Sequence, residues 1–319
     1  MTILITGVAG FVGRHLVKYL NSVYPNVSIV GLDVVATTEV GKGIPGFSYT
    51  ETNLLDGDAV RAILNKVKPE WIIHLASFSS VSYSWEHPSD SFLNNSLIFI
   101  NLIESCRAEC PSCRILSIGS SEEYGKVEDN CGLIAESNPL RPTSPYAVAR
   151  VSQEMLSRVF VQGYGLDIVM TRSFNHIGPY QRDAFVVPAF VKQFVQAEKT
   201  GLKRVNLRCG DLEVIRDFTD VRDVVRAYNL ILHFGERGEV YNVCSSEGRK
   251  LKDVIATLER LTGIQAELDV DRSLFRPLEN HALVGDNSEL RNRCGWKPEW
   301  SFEASIVEVL EYWRSAVTL

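Results

Sequence analysis

The residues best suited to chemistry lie close together in the chain. Ser117-Ile118-Gly119-Ser120-Ser121-Glu122-Glu123-Tyr124-Gly125 is followed by Ser144-Pro145-Tyr146-Ala147-Val148-Ala149-Arg150. The apolar run from Cys113 to Ile118 breaks into hydroxyls and carboxylates, as a buried strand does where its end opens into a cleft. Pro145 begins a helical pattern with Tyr146 in the first turn and Arg150 four residues on. Positions i and i+4 share a helix face, so the phenol and the guanidinium can point at one ligand. Ser120, Ser121, Glu122, Tyr146 and Arg150 together supply hydroxyls, a carboxylate, a phenol and a fixed cation. That is equipment for acid–base chemistry. The stretch alone does not separate this reading from a capped helix carrying a chance Tyr–Arg pair.

The elements that must position these groups alternate along the first half of the chain. Strand patterns run over Ile3 to Thr6, Val27 to Leu32, Phe47 to Thr50, Trp71 to Leu75, Cys113 to Ile118 and Asp167 to Arg172. Helical patterns lie between them: one runs through Leu20, one from the Asp56 cap to Lys66, one from Asp90 to Ala108 and one from Pro145 to Tyr164. Such spacing predicts right-handed βαβ units and an α/β fold of the Rossmann type, a doubly wound parallel sheet covered on both faces. After about Gly178 the rhythm loosens. Helices are expected at Val187 to Lys199, Val221 to Phe234, Leu251 to Leu261 and Phe302 to Ser315, with strands at Val205 to Cys209 and Glu239 to Val243. The expected division is a dinucleotide-binding domain over 1–176, to which 212–245 returns. A smaller interleaved α/β substrate domain is expected from 177–211 and 246–319.

Gly7, Gly10 and Gly13 sit directly between the first strand and the first helix, where a phosphate-binding turn belongs. Their missing side chains permit a tight turn, close approach of a pyrophosphate and close helix–sheet packing. Asp33 lies 20 residues past Gly13 at the end of the second strand. A carboxylate there accepts from both ribose hydroxyls of NAD and repels a 2′-phosphate. NAD(H) is therefore the expected cofactor, with NADP(H) as the alternative.

Composition narrows the class further. At 319 residues, 45% hydrophobic and 23% charged, the chain can bury a substantial core. The net charge is −6 with scattered lysines and arginines, so no nucleic-acid surface is expected. No apolar run approaches the ~20 residues that span a bilayer, and the N-terminus lacks a basic n-region, so no membrane association is expected and the location is read as cytoplasmic. Seven scattered cysteines suggest reduced thiols. Cys106, Cys110 and Cys113 raise a metal question, but no fourth ligand is evident nearby, and no metal is expected.

The motifs resemble those of the extended short-chain dehydrogenase/reductases over nearly the whole chain. They comprise the glycine turn, Asn53-Leu54-Leu55-Asp56, His74-Leu75-Ala76-Ser77, Asn95, the Ser120 to Gly125 stretch, Tyr146 and Arg172-Ser173-Phe174-Asn175-His176-Ile177-Gly178-Pro179. They continue through Arg216-Asp217-Phe218-Thr219-Asp220-Val221-Arg222-Asp223, Tyr241-Asn242-Val243-Cys244-Ser245, Arg276-Pro277 and Gly295-Trp296-Lys297-Pro298. Their wording is most similar to the GDP-sugar branch, and within it to the GDP-4-keto-6-deoxy-mannose reductases more than to the GDP-mannose 4,6-dehydratases. That resemblance implies hydride transfer at the C4 keto group of a GDP-linked 6-deoxyhexose, giving GDP-D-rhamnose.

It also assigns roles. Ser120 and Tyr146 would hold the sugar's C4 oxygen, Tyr146 passing the proton, with Ser121, Glu122 and Arg150 completing the catalytic set. Gly7, Gly10, Phe11, Val12, Gly13, Asp33, Asn53, Leu54, Leu75, Ala76, Ser77, Asn95, Tyr146, Arg150 and Phe174 would serve the cofactor, Asn95 through a supporting hydrogen-bond network. Ser79, Ser120, Glu122, Asn175, Val187, Lys192, Arg216 and Arg276 would serve the substrate. Of these, Arg216 and Arg276 would bind its diphosphate in forks. The implied assembly is a homodimer packed through Asp90 to Ala108 and Pro145 to Tyr164.

Arg150 departs from the resemblance, because the family's pattern is Tyr-x-x-x-Lys. Arginine supplies a permanent charge and hydrogen bonds but no proton relay, and its fork is bulkier. A natural working variant, a site with altered chemistry and an engineered change are the three readings, and the intact surrounding motifs favour the first. Glu122 leaves dehydratase chemistry open, since a carboxylate at this place would remove the C5 proton in a dehydratase. Three hypotheses stand: a 4-keto reductase, a 4,6-dehydratase or epimerase with tightly held NAD, and a nucleotide-sugar-binding protein of low turnover.

Overall fold

The computed structural model describes residues 1–36, 39–128, 132–275, 278 and 280–317. The first half alternates as expected: β1 (Thr2–Thr6), α1 (Phe11–Val23), β2 (Ser28–Asp33), β3 (Phe47–Glu51), α2 (Gly57–Val67) and β4 (Trp71–His74). It continues with α3 (Val81–Glu86), α4 (Pro88–Glu109), β5 (Arg114–Ser120), α5 (Pro145–Tyr164) and β6 (Asp167–Ser173). Local chemistry fixes the helix ends. Asp56 caps α2 by accepting from Ala59 N at 3.0 Å, and Ser144 caps α5 by accepting from Ala147 N at 3.1 Å. Pro145 occupies the first turn of α5, where its missing N–H costs nothing, and Gly165 ends the helix in the left-handed conformation.

The second half contains β7 (Asn175–Ile177), α6 (Val186–Lys199), β8 (Arg204–Cys209), β9 (Ile215–Asp220), α7 (Val221–Phe234), β10 (Val240–Val243) and β11 (Gly248–Lys250). It ends with α8 (Leu251–Thr262), β12 (Gln265–Val270), β13 (Ala282–Leu283), α9 (Ser288–Cys294) and α10 (Phe302–Ala316).

Seven strands form a parallel sheet in the order β10-β6-β5-β4-β1-β2-β3. Side chains alternate across it. Ile3, Ile5 and Ile73 face Leu16, Leu20, Val224 and Tyr228 of α1 and α7. On the other face, Leu4, Ile72, Ile115 and Ile168 meet Leu64, Phe99, Leu102 and Phe160 of α2, α4 and α5. Burial on both faces explains why these strands read as apolar runs rather than as alternating ones. The chain reverses direction across the sheet between β1 and β4, which leaves a crevice outside the carboxyl ends of those strands.

The remaining elements stand over that crevice. β7, β11 and β13 pair with β9, while β8 and β12 form a parallel pair. Phe190, Phe194, Leu207, Leu258, Ile306 and Val309 pack α6, α8 and α10 around these strands. Within 212–245, β9 belongs to the smaller sheet, whereas β10 is an edge strand of the large one. Among the described residues no helix is long and apolar enough to cross a membrane.

Candidate active site

The turn after β1 is shaped by contacts that leave no room for side chains. Gly7 has φ +70°, and a Cβ there would lie 2.6 Å from Ala76 N. A Cβ on Gly13 would collide with the Val8 carbonyl. The backbone of α1 therefore begins hard against the sheet, with its free N–H groups directed at the crevice, a geometry suited to a pyrophosphate. Asp33, at the end of β2, accepts from Ala9 N at 2.9 Å and from Val34 N at 2.8 Å. These two donors orient a carboxylate that keeps lone pairs for further hydroxyl donors.

From this turn a cavity of about 1400 Å³ runs to the strands and helices above the sheet. A single drug-sized ligand occupies roughly 300–1,000 Å³, so the space suits a dinucleotide together with a second nucleotide-sized molecule. Of the residues singled out in the sequence, Gly7, Gly10, Phe11, Val12, Gly13, Asp33, Asn53, Leu54, Leu75, Ala76 and Ser77 line it. Ser79, Ser120, Ser121, Glu122, Tyr146, Arg150, Phe174, Asn175, Val187 and Arg216 line it too.

The acid–base groups meet where β5 ends. Ser120 caps the short turn after β5, its hydroxyl accepting from Glu122 N at 3.2 Å. Ser120 N donates to Glu123 Oε1 at 2.7 Å. Glu123 is fully buried, and burial, reinforced by nearby Glu154, pushes its carboxyl up to about 8. Glu123 is thus a buried neutral acid behind the site, whereas Glu122 faces the cavity. Across from Ser120, Arg150 Nε donates to the Tyr146 hydroxyl at 3.2 Å. Both residues are largely buried, at 5% and 6% exposure, so their charge and hydroxyl act in a poorly screened environment. Arg150 Nη1 also donates to Ile118 O at 2.9 Å and to Gln153 Oε1 at 2.7 Å.

Beneath this cluster, Arg172 of β6 forks onto Glu154 of α5 with bonds of 2.9 and 2.8 Å, tying α5 to the sheet. His74 donates to or accepts from the Thr6 hydroxyl at 2.8 Å. Burial first, then the Arg150 cation, lowers its imidazole to about 3, so it remains neutral and structural.

The structure separates two sequence-predicted residues, Asn95 and Lys192, from the cavity wall. Asn95 is buried in α4, accepting from Phe78 N at 2.8 Å and donating to Phe78 O at 3.2 Å. It therefore clamps the Ser77–Ser79 segment from behind. Lys192 does not line the cavity; its ammonium pairs with Asp183 at 2.6 Å and stands over the Trp313 ring. Arg276 lies outside the described residues. Arg216, on β9, donates to Ile215 O at 2.8 Å and to Asn280 O at 3.1 Å.

Residues not named for the site from the sequence also stand in or beside the wall. Tyr228 of α7 bonds Ser173 Oγ at 2.9 Å and faces His176 Nε2 at 3.4 Å, which places a second phenol in the wall. Burial lowers His176 to about 4. Tyr180 adopts φ +72°, unusual for a residue with a side chain, and stacks near Arg14 and Lys18. Gln153 is buried and polar, three residues after Arg150 on α5, and that spacing is the one clue that could have found it.

Comparison with known proteins places the whole chain among its relatives. The family described as GDP-mannose 4,6 dehydratase matches residues 4–309. GDP-6-deoxy-D-mannose reductase of Pseudomonas aeruginosa is 31% identical over 99% of this chain and 98% of its own. The structure of RMD from Pseudomonas aeruginosa complexed with NADPH superposes with a TM-score of 0.83 at 31% identity, covering 99% of both chains. Thermus thermophilus UDP-glucose 4-epimerase in complex with NAD gives a TM-score of 0.88 at 29% identity, covering 99% of this chain and 100% of that one. A trifunctional UDP-glucose 4,6-dehydratase/epimerase/reductase of Arabidopsis thaliana is 26% identical over 98% of this chain, which spans only 47% of that protein. The chain belongs to the GDP-mannose 4,6-dehydratase family, within the extended short-chain dehydrogenase/reductases.

Proposed function

We propose that the protein is an NAD(P)H-dependent reductase of a nucleotide-activated 6-deoxyhexose, converting GDP-4-keto-6-deoxy-D-mannose to GDP-D-rhamnose. One observation carries the reading: Ser120 and the Tyr146–Arg150 pair open into the same cavity as the glycine turn and Asp33. When bound, NAD(P)H would supply hydride to the carbonyl carbon. Ser120 and Tyr146 hold the C4 oxygen by hydrogen bonds, and Tyr146 gives that oxygen its proton. Arg150 stabilises the charge left on the phenol and is itself fixed by Gln153. Asn175 and Arg216 face the substrate's diphosphate, with Arg276 as a further proposed ligand.

Asp33 supports NAD(H) as the preferred cofactor, and the NADPH complex of the Pseudomonas relative supports NADP(H) as the alternative. The domain division proposed is cofactor binding over 1–176 with return of 212–245, and substrate binding over 177–211 and 246–319. A homodimer is proposed through α4 and α5, whose outer faces expose Leu93, Leu97, Met155 and Val159. A cytoplasmic location is proposed on the strength of six buried free thiols among the described residues.

Glu122 in the cavity wall supports a second reading, 4,6-dehydration with retained NAD. Incubation with NADH or NADPH and GDP-4-keto-6-deoxy-mannose separates the two. Loss of reduced cofactor in step with sugar reduction is expected. Dehydration of GDP-mannose without added cofactor, and no reduction, would overturn the reductase reading.

A further inference from the structure

We propose that Cys106, Cys110 and Cys113 form a site for a thiophilic d10 metal ion, Zn²⁺ or Cu⁺, at the junction of α4 and β5. None of the three lines the crevice described above. Their sulfur atoms all lie within 4.8 Å of one another, and Cys106 and Cys110 Sγ are 3.6 Å apart. Metal–sulfur bonds of ~2.3 Å place ligand sulfurs about 3.8–4.0 Å apart in tetrahedral or trigonal geometry. The cluster therefore already has the dimensions of a three-sulfur site, and side-chain rotations of less than about an ångström complete it.

The backbone presents these sulfurs in consecutive turns. Cys110 N donates to Cys106 O at 2.8 Å, and Cys113 N donates to Cys110 O at 2.9 Å with Pro111 held between. The sulfurs otherwise have only weak partners: Cys106 Sγ reaches Cys110 O at 3.4 Å, and Cys113 Sγ reaches Arg114 O at 3.6 Å. Burial of one cysteine is ordinary packing, but burial of three with converging sulfurs is a chelating arrangement. Soft thiolates select Cu⁺ and Zn²⁺ over hard cations.

Electrostatics at this end of the helix favours a cation. α4 ends at Glu109 with Cys110 as its cap, and the negative end of its dipole faces the cluster. Two charged groups act on Cys110, the Lys68 ammonium and the Glu109 carboxylate, and Lys68 also binds the Glu109 carbonyl at 2.6 Å. On binding Zn²⁺ the three thiols release three protons and leave a complex of net charge −1, which Lys68 offsets. No carboxylate or imidazole among the described residues joins the cluster. The ion is therefore three-coordinate, as suits Cu⁺, or takes a water as its fourth ligand, as suits Zn²⁺.

The test uses the full-length protein, reduced and stripped of metal. Titration with Co²⁺ as the spectroscopic stand-in for Zn²⁺ is expected to give sulfur-to-cobalt charge-transfer absorption saturating at one equivalent and abolished by one equivalent of Zn²⁺. A parallel titration with Cu⁺ against a chromogenic chelator reads the other arm; binding in either arm alone identifies the ion. C110S and C113S are expected to lose at least a hundredfold in affinity, while C209S, on β8, binds as the unsubstituted protein does. Because the cysteine variants could fail to fold, anomalous scattering from a Zn²⁺-soaked crystal of the unsubstituted protein gives an independent readout. A peak between the three sulfurs supports the site. Absence of binding in both arms, or binding that survives in folded C110S and C113S, overturns it.

Discussion

Arg150 reaches the Tyr146 hydroxyl through Nε at 3.2 Å, while its Nη1 is held by Ile118 O at 2.9 Å and Gln153 Oε1 at 2.7 Å. The guanidinium is thus turned by a partner that a lysine at this position could not use in the same way. Gln153 is itself locked, donating to Ser117 Oγ at 2.9 Å and to Ile118 O at 3.1 Å. R150M removes the cation and is expected to lower kcat by about a hundredfold, the scale of a misplaced reacting group. R150K keeps the charge but leaves Gln153 Oε1 unpaired, and a loss of about tenfold is expected. Steady-state kinetics of both variants, with cofactor affinity measured separately, checks the pair. Unchanged rates in R150M would remove Arg150 from the chemistry.

On the proposed reading, cofactor choice rests on Asp33. Its carboxylate is held by Ala9 N and Val34 N, at 2.9 and 2.8 Å, at the end of β2. A fixed negative charge there repels a 2′-phosphate and accepts from ribose hydroxyls. The unsubstituted protein is expected to favour NADH over NADPH in kcat/KM. D33A is expected to narrow or reverse that ratio by about tenfold, since one charge contact is worth roughly 1–2 kcal/mol. Measuring both cofactors on both proteins decides it, and a ratio that D33A leaves unmoved would place discrimination elsewhere.

The large sheet and the phosphate-binding turn were legible because local signals agree with the fold. Apolar runs buried on both faces, the Asp56 and Ser144 caps and glycines between a strand and a helix all report short-range physics. The smaller sheet was not legible. β7, β9, β11 and β13 are short and come from separated parts of the chain, so pairing rather than periodicity defines them. The site divides the same way. Tyr146 and Arg150 announce themselves by i,i+4 spacing, whereas Tyr228 enters the wall only because α7 packs beside β6. Lys192 shows the converse failure: a basic residue on a helix facing the cleft elements is occupied by Asp183.

Asp217 organises the approach of β9 to the cavity. Its buried carboxylate accepts from Ser245 N at 2.8 Å, Ser245 Oγ at 2.7 Å, Ser246 N at 2.9 Å and Gly285 N at 3.3 Å. Arg216 is its neighbour on the strand and lines the cavity. D217N exchanges two acceptor oxygens for one and sets an amide against backbone donors. A stability loss of about 2–3 kcal/mol is expected, as for a lost charge-assisted hydrogen bond and an unsatisfied donor. KM for the nucleotide sugar should rise more than kcat falls, because the change acts through the position of Arg216. Equal effects on both would show that Asp217 serves stability alone.

Of the two carboxyl groups after Ser120, the buried one ties stability to pH. Glu122 faces the cavity, whereas Glu123 is fully buried, with Oε1 on Ser120 N at 2.7 Å and Oε2 without a partner among the described residues. Burial, then repulsion from Glu154, raises Glu123 from 4.5 to about 8. A raised folded-state value means that the folded chain holds a proton which the unfolded chain releases. Stability from this group is therefore full below about pH 4.5 and is lost as pH rises towards about 8. E123Q keeps an acceptor for Ser120 N and carries no titrating proton. Its Tm is expected to match the unsubstituted protein near pH 5 and to exceed it near pH 8.5, where the buried carboxylate must ionise. Thermal unfolding of both proteins across that range reads the difference directly. Parallel curves would mean that Glu123 stays in one protonation state, and the alkaline loss of stability would then belong to another group.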